Sequence, residues 1–325
     1  MDINPNPETQ IKDLDIIVDT DIIVDTNNTN DIDNQKNDNY ILDFICSNPY
    51  KLFICNSAIL FVSCIVLSTL TILYNNDLDK YFWINQGTKY IIVSIIQYFM
   101  ALLVVYKNVK VNYTRKVIHV SYFLIPQLLD IILIEYEKNK YTALWNVWII
   151  LFLLLLLSEP VRANINIIDT MFKAVDRPED RPYTLIWFSS QIITTLAVII
   201  PFSVYFSRID KIGFVFIPIL VNGLADGLAE PVGIRFGKHK YKTRACLSRR
   251  EYERSYEGSL CVFLVSLIII LCYYGYMAIN QYVFCCLTIP IITTATEAYS
   301  PHTWDSPCIF FVVCGLLVLS DFIPS

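Results

Sequence analysis

Between residues 52 and 323 the chain is divided into a succession of apolar runs. Several reach the roughly 20 residues needed to cross a bilayer. Nine stand out, at 52–74, 90–106, 117–134, 142–158, 184–206, 212–234, 258–279, 281–297 and 307–323. The second, fourth and eighth are short, so the pattern supports eight or nine crossings. A soluble domain has no way to cover so much apolar chain, and 55% hydrophobic residues with a mean hydropathy of +0.48 say the same. Every backbone polar group inside lipid must be satisfied within its own segment, which leaves helices as the spanning element for runs of this length. The expected fold class is therefore all-α: a polytopic integral membrane protein with about eight or nine transmembrane helices.

The N-terminal residues differ in kind. Residues 1–40 hold ten acids against two lysines, a net charge of −8, with many Asn and no sustained apolar face. The hexapeptide Asp15–Thr20 is repeated at once as Asp21–Thr26. This predicts a disordered, acidic, Asn-rich tail over 1–45, followed by N-terminal transmembrane helices over 46–110 and a larger membrane domain over 111–325. No basic stretch precedes an early apolar run, so no cleavable signal peptide is expected and the first span serves as the membrane signal. The ten cysteines lie mostly within spans, with no C-x-x-C pair, and read as small apolar residues.

Lys and Arg in short loops set orientation. Three loops are rich in them: Lys107, Lys110, Arg115 and Lys116; then Arg162, Lys173, Arg177 and Arg181; then Arg235, Lys238, Lys240, Lys242, Arg244, Arg249, Arg250 and Arg254. With nine spans all three fall on one side, which predicts that they and the acidic tail face the cytosol.

The candidate chemistry gathers on that side. Asn222, Asp226 and Glu230 are spaced i, i+4, i+8 and share one helix face. Two carboxylates a turn apart in an apolar helix repel each other, and a divalent cation such as Mg²⁺ removes that repulsion. Gly233 and Gly237 bracket the exit turn and Gly258 precedes the next span. Glycine lets a backbone approach phosphate, although small residues at this spacing also serve helix packing. The basic loop has ordinary explanations in the positive-inside rule and anionic lipid contact. Its position between two segments of acids and glycines is what they leave unexplained. Arg115 and His119, with Lys116 between them, sit at the start of the third span on one face, where they can meet one anion. Glu159 and Arg162 close the fourth span, Asp176–Arg181 is a polar turn expected to hold local salt bridges, and Glu297 and Asp305 flank the last loop.

Taken in order, these residues resemble the polyprenol kinase family, which includes dolichol and phytol kinases. Asp226-Gly227-Leu228-Ala229-Glu230, then Gly233 and Gly237-Lys238, then Arg254-Ser255-Tyr256-Glu257-Gly258-Ser259 look like its signature. Arg115-Lys116-x-x-His119, Glu159 with Arg162, and Glu297 with Asp305 look like flanking landmarks in the same order. The resemblance covers the chain from about Asn112 onward. It departs at Ala225, where the family has Gly, at Arg254 for Lys, and at Ser306 for Asn.

The resemblance implies CTP as phosphoryl donor, Mg²⁺ as cofactor, and a membrane-embedded lipid alcohol such as dolichol or phytol as acceptor, in the endoplasmic reticulum if the source is eukaryotic. By position it implies catalytic roles for Asp226, Glu230, Glu257 and Asp305, with Asp226 and Glu230 on the metal. Nucleotide contacts fall to Gly233, Gly237, Lys238, Lys240, Arg254, Ser255, Gly258 and Ser259. A phosphatidate cytidylyltransferase or diacylglycerol kinase is the neighbouring alternative. A cation transporter or a non-catalytic membrane protein stands further off. Lipid and nucleotide are the expected partners, and nothing implies nucleic acid.

Overall fold

Each of the nine apolar runs contains a helix in the computed structural model, which describes residues 48–74, 80–133, 140–244, 251–301 and 304–324; the run at 258–279 is helical only to Leu271. The acidic tail expected over 1–45, and Arg249 and Arg250 of the basic loop, lie outside the described residues. In chain order the long helices are α1 (Pro49–Leu73), α2 (Lys80–Lys107), α3 (Val111–Ile132) and α4 (Lys140–Leu156). Two short helices follow, α5 (Glu159–Arg162) and α6 (Asn166–Phe172), then α7 (Thr184–Arg208). A composite helix α8 (Ile212–Phe236) comes next. After the hairpin β1 (Lys240–Arg244) and β2 (Glu251–Ser255) come α9 (Tyr256–Leu271), α10 (Ile279–Tyr299) and α11 (Asp305–Asp321).

Among the described residues, five helices are long and apolar enough to cross a membrane: α1, α2, α7, α8 and α10. The others fall short for physical reasons. At roughly 1.5 Å per residue, the 17 residues of α4 and of α11 and the 16 of α9 do not fill a hydrocarbon layer. The span expected at 117–134 begins earlier, at Val111, and takes Arg115, Lys116 and His119 into its first turns.

α2 shows how the helices meet lipid. Its buried face carries Asn85, Gln86, Lys89 and Gln97, while Ile84, Ile91, Ile95 and Phe99 are exposed. Polar inside and apolar outside suits a hydrocarbon solvent. Gln97 accepts a hydrogen bond from the Tyr122 hydroxyl at 3.2 Å, and Lys89 pairs with Asp130 at 2.6 Å. α2 and α3 therefore pack along their lengths.

α8 is the central helix. Of its most apolar stretch 61% is buried, against 0–22% for the other four candidates. Phe206, Ile217, Val221, Val262, Ile289 and Val313 of α7 to α11 close around it as the main core. Partway along, Val221–Asp226 widens to a π turn.

One element departs from all-α. The basic loop folds back as an antiparallel hairpin, pairing Lys240 with Ser255, Tyr241 with Arg254, Lys242 with Glu253 and Thr243 with Tyr252. Alternate residues then point to opposite faces. Tyr241 and Arg254 turn toward the helices, where the Tyr241 hydroxyl meets Ser259 Oγ at 2.5 Å.

Candidate functional site: a buried charged cluster

The cluster forms where α3 crosses α8. Asn112, Arg115, Lys116 and His119 lie on successive turns of α3 and share a face. Opposite them stand Asn222, Asp226 and Glu230. The two backbones come close because α8 has no side chains at the crossing. A Cβ on Gly223 would lie 2.7 Å from Phe123 Cβ, and one on Gly227 would lie 2.5 Å from Val120 Cγ2.

Each carboxylate of α8 receives its own partners from α3. Glu230 accepts from Asn112 Nδ2 at 2.8 Å and from an Arg115 terminal nitrogen at 2.7 Å. Asp226 Oδ1 accepts from Lys116 Nζ at 3.0 Å, and the same ammonium donates to the Asp226 backbone oxygen at 3.1 Å. His119 Nε2 lies 3.0 Å from the Asn222 backbone oxygen and 3.3 Å from Asp226 Oδ2. A carbonyl can only accept, so this contact places the proton of a neutral imidazole on Nε2. Lys116 and Asp226 are only 4% and 1% exposed, which makes theirs a buried ion pair. The α3 residues were expected to meet one anion. They meet two, a helical turn apart.

Further elements complete the cluster. Arg254 of β2 forms an ion pair with Glu297 of α10. Asp305, in the first turn of α11, accepts from Gln191 Nε2 at 3.2 Å and from the Ser306 amide at 3.0 Å, while Gln191 also donates to Ser306 Oγ at 2.8 Å. Asp305 lies within Coulombic reach of Lys116, Arg115, His119 and Arg254. Glu297 likewise senses Asp226 and Asp305. The segment after α6 packs on α3, with Thr114 Oγ1 donating to Ala174 O at 2.8 Å. It brings Arg177, paired with Asp180 at 2.7 Å, into reach of Glu230. The local salt bridges expected in Asp176–Arg181 are present, including Arg181 to Asp176 at 2.8 Å.

Several expected site residues sit elsewhere or do something else. Gly233, Gly237 and Gly258 close around Ser255. A Cβ on Gly233 would lie 2.8 Å from Ser255 Oγ, one on Gly237 2.7 Å from Ser255 Cβ, and one on Gly258 3.0 Å from Ala229 O. These glycines let α8, the hairpin and α9 approach, and Ser255 Oγ caps α9 by accepting from the Gly258 amide at 3.1 Å. Glu257 accepts from the backbone amides of Lys238 at 3.1 Å and His239 at 3.3 Å, and meets His239 Nδ1 at 2.8 Å. A carboxylate of the chain thus takes the amides of the exit turn. The Lys238 side chain is exposed. Lys240 is 65% exposed on the outer hairpin face and pairs with Glu253. Arg162 lies 3.8 Å over the Phe172 ring, and among the described residues neither it nor Glu159 forms an ion pair with the cluster.

The two carboxylates paired on a metal in the sequence reading have different partners in the structure. Among the described residues no three His, Cys, Asp or Glu side chains gather as a metal site. Both Glu230 oxygens are committed to α3 donors. Asp226 differs: its Oδ1 holds Lys116, while buried Oδ2 accepts no hydrogen bond. Asp226 Oδ2 is therefore the one oxygen of the two α8 carboxylates left without a hydrogen bond, with His119 Nε2 3.3 Å away, and Glu230 is a partner for Arg115 and Asn112.

Sequence reasoning missed Asn112 and Gln191. Asn112 stands one turn before Arg115, and Gln191 is a polar residue within an apolar span, so both had a signal. Arg177 had none, since only the fold brings it to Glu230.

A scan against protein-family models finds no match to this chain, and searches of curated proteins and of solved structures find none either.

Proposed function

We propose that the chain is a CTP-dependent lipid-alcohol kinase of the polyprenol kinase type, acting on an isoprenoid alcohol such as dolichol or phytol. The observation that supports this most is convergence. Arg115, Lys116 and His119, then Asp226 and Glu230, then Arg254, then Glu297 and Asp305 are scattered over some 190 positions of the chain, yet they meet in one cluster. These are the stretches that carry the resemblance, in the order it requires.

The chemistry suits the residues. Phosphoryl transfer is positioning plus neutralisation of charge, with little covalent work for the protein. Mg²⁺ arriving with CTP would supply part of that neutralisation, and Asp226 and Asp305 are the side chains that would hold it. Lys116 orients Asp226 by gripping Oδ1 and the backbone oxygen. Arg254 swings between Glu297 and the nucleotide phosphates. In this reading the chain crosses the endoplasmic reticulum membrane several times, the basic loops and the acidic tail face the cytosol, and the lipid chain stays in the bilayer.

The test is to incubate membranes containing the protein with γ-labelled CTP and a panel of dolichol, phytol, farnesol and diacylglycerol. Label in one of these alcohols is the expected result. Label in none, with a working positive control, removes the reading. Pyrophosphate release with a CDP-lipid product selects a cytidylyltransferase instead.

A further inference from the structure

Asn222 is fully buried and its side chain makes no hydrogen bond at either end, Oδ1 or Nδ2. Its backbone oxygen is engaged by His119, so the leftover group is the amide side chain alone. Native proteins rarely keep both ends of an interior amide unpaired, because the loss of hydration is then uncompensated. One turn away on the same helix face, Asp226 Oδ2 is also buried and accepts no hydrogen bond, with His119 Nε2 3.3 Å away. Open atoms are thus concentrated on one face of the π turn, a distortion that recurs at functional sites.

The chemistry of these atoms selects their ligand. They offer two acceptor oxygens, one of them charged, and one neutral N–H₂ donor. An ionised phosphate or carboxylate could accept from Asn222 Nδ2 but has no proton to donate to Asn222 Oδ1 or Asp226 Oδ2. An ammonium could donate but could not accept from Nδ2. A hydroxyl does both, donating to the carboxylate and accepting from the amide.

The surroundings give that hydroxyl a direction. Asp226, Glu230 and the hairpin lie on the C-terminal side of Asn222 along α8. Alongside it, Phe123 packs onto Gly223 and meets the rings of His119 at 4.9 Å and Phe310 at 5.8 Å. The charged side suits a nucleotide and the aromatic side suits a hydrocarbon.

We infer that the Asn222 side chain and Asp226 Oδ2 form the seat for the acceptor hydroxyl, with Asn222 as the positioning residue that orients it toward the phosphoryl donor. The assignment rests on the kinase reading for its reaction but not for its ligand chemistry. A hydroxyl can come from a lipid alcohol or from water, and the assignment is to the alcohol. Asn222 is 0% exposed, so a hydroxyl seated there would be shielded from bulk water.

The experiment uses the full chain in lipid nanodiscs without nucleotide, and the probes are tritiated geranylgeraniol and its methyl ether. The ether keeps the hydrocarbon and loses the donor proton. Wild type should bind the alcohol about tenfold more tightly than the ether, the worth of one good hydrogen bond to a charged group. Asn222→Leu, close in shape, should bind both equally, and Asn222→Ser should fall between. Thermal stability without ligand should be unchanged or raised in Asn222→Leu, because the amide it removes has no protein partner to lose. A clear loss of stability, or failure to accumulate, means the amide serves the fold and overturns the inference.

Equal wild-type binding of alcohol and ether, or undiminished selectivity in Asn222→Leu, overturns it too, and the second result assigns the buried amide to water. In the transferase assay Asn222→Leu should raise KM for the alcohol about tenfold and leave KM for CTP unchanged. If wild type selects the alcohol but transfers no label, the kinase reading fails and the hydroxyl seat stands. Transfer with no dependence on Asn222 leaves the kinase reading standing and the seat overturned.

Discussion

The protein buries charge at the two ends of α3, in two different ways. At one end Asp130 meets Lys89 of α2 at 2.6 Å. Some 15 residues earlier, about 22 Å at the rise of an α-helix, Arg115 and its neighbours enter a cluster drawn from α3, α8, β2, α10 and α11. There four carboxylates, Asp226, Glu230, Glu297 and Asp305, face three permanent cations, Arg115, Lys116 and Arg254, together with His119. Open buried atoms persist on Arg115, Asn222, Asp226 and Arg254. A closed pair fixes how two helices sit. An unbalanced cluster with leftover atoms is arranged for something that the chain alone does not contain.

The comparison breaks most sharply at Asp226. Asp226→Asn should lower transfer by about 10²–10³, the usual cost of one preorganised electrostatic group. It also leaves Lys116 buried without its counter-charge, so stability should fall by about 3–5 kcal/mol. Calorimetry and the labelled-CTP assay on the same preparation separate the two losses. At the other end, Lys89→Met should cost stability on the same scale, since Asp130 is then left uncompensated. Lys89→Met with Asp130→Leu should restore it, and transfer per folded molecule should match wild type throughout.

Arg254→Ala should raise KM for CTP by about 10–100-fold, the worth of a hydrogen bond to a charged group. Arg254→Lys should recover part of this, because a point charge still meets phosphate but cannot fork. Gly227→Ala places a methyl 2.5 Å from Val120 Cγ2, and overpacking of this kind costs about 1–3 kcal/mol, readable as a lower denaturation midpoint. The smallest effect belongs to Lys240→Ala. On the outer hairpin face it should change stability by no more than about 0.5 kcal/mol and leave KM for CTP untouched.

The helices were legible because an apolar run long enough to span a bilayer needs no partner to announce itself. What lipid hides was harder to read. The i, i+4, i+8 spacing of Asn222, Asp226 and Glu230 placed them on one face correctly, but the same spacing says nothing about what stands opposite. Their partners lie more than 100 positions away, so the spacing alone could not show that Lys116 and Arg115 stand against these carboxylates. The hairpin was obscured by its charges. Tyr241 and Thr243 alternate with Lys240 and Lys242 in the two-residue period of a strand, yet the density of Lys and Arg reads as a solvated loop. The glycines were visible as glycines, and only the crossing with α3 tells that Gly223 and Gly227 serve an approach between helices.

The central claim is that the cluster on α8 exists for transfer and not for the fold. The most direct test is the double variant Lys116→Met with Asp226→Asn, which removes both charges of the buried pair together. Replacing such a pair with neutral residues of similar volume is often neutral or stabilising, so the variant should denature near the wild-type midpoint. Transfer of label from γ-labelled CTP to the preferred alcohol should nevertheless fall by at least about 10²-fold. A double variant that is as stable as wild type and phosphorylates the alcohol at the wild-type rate would contradict the account.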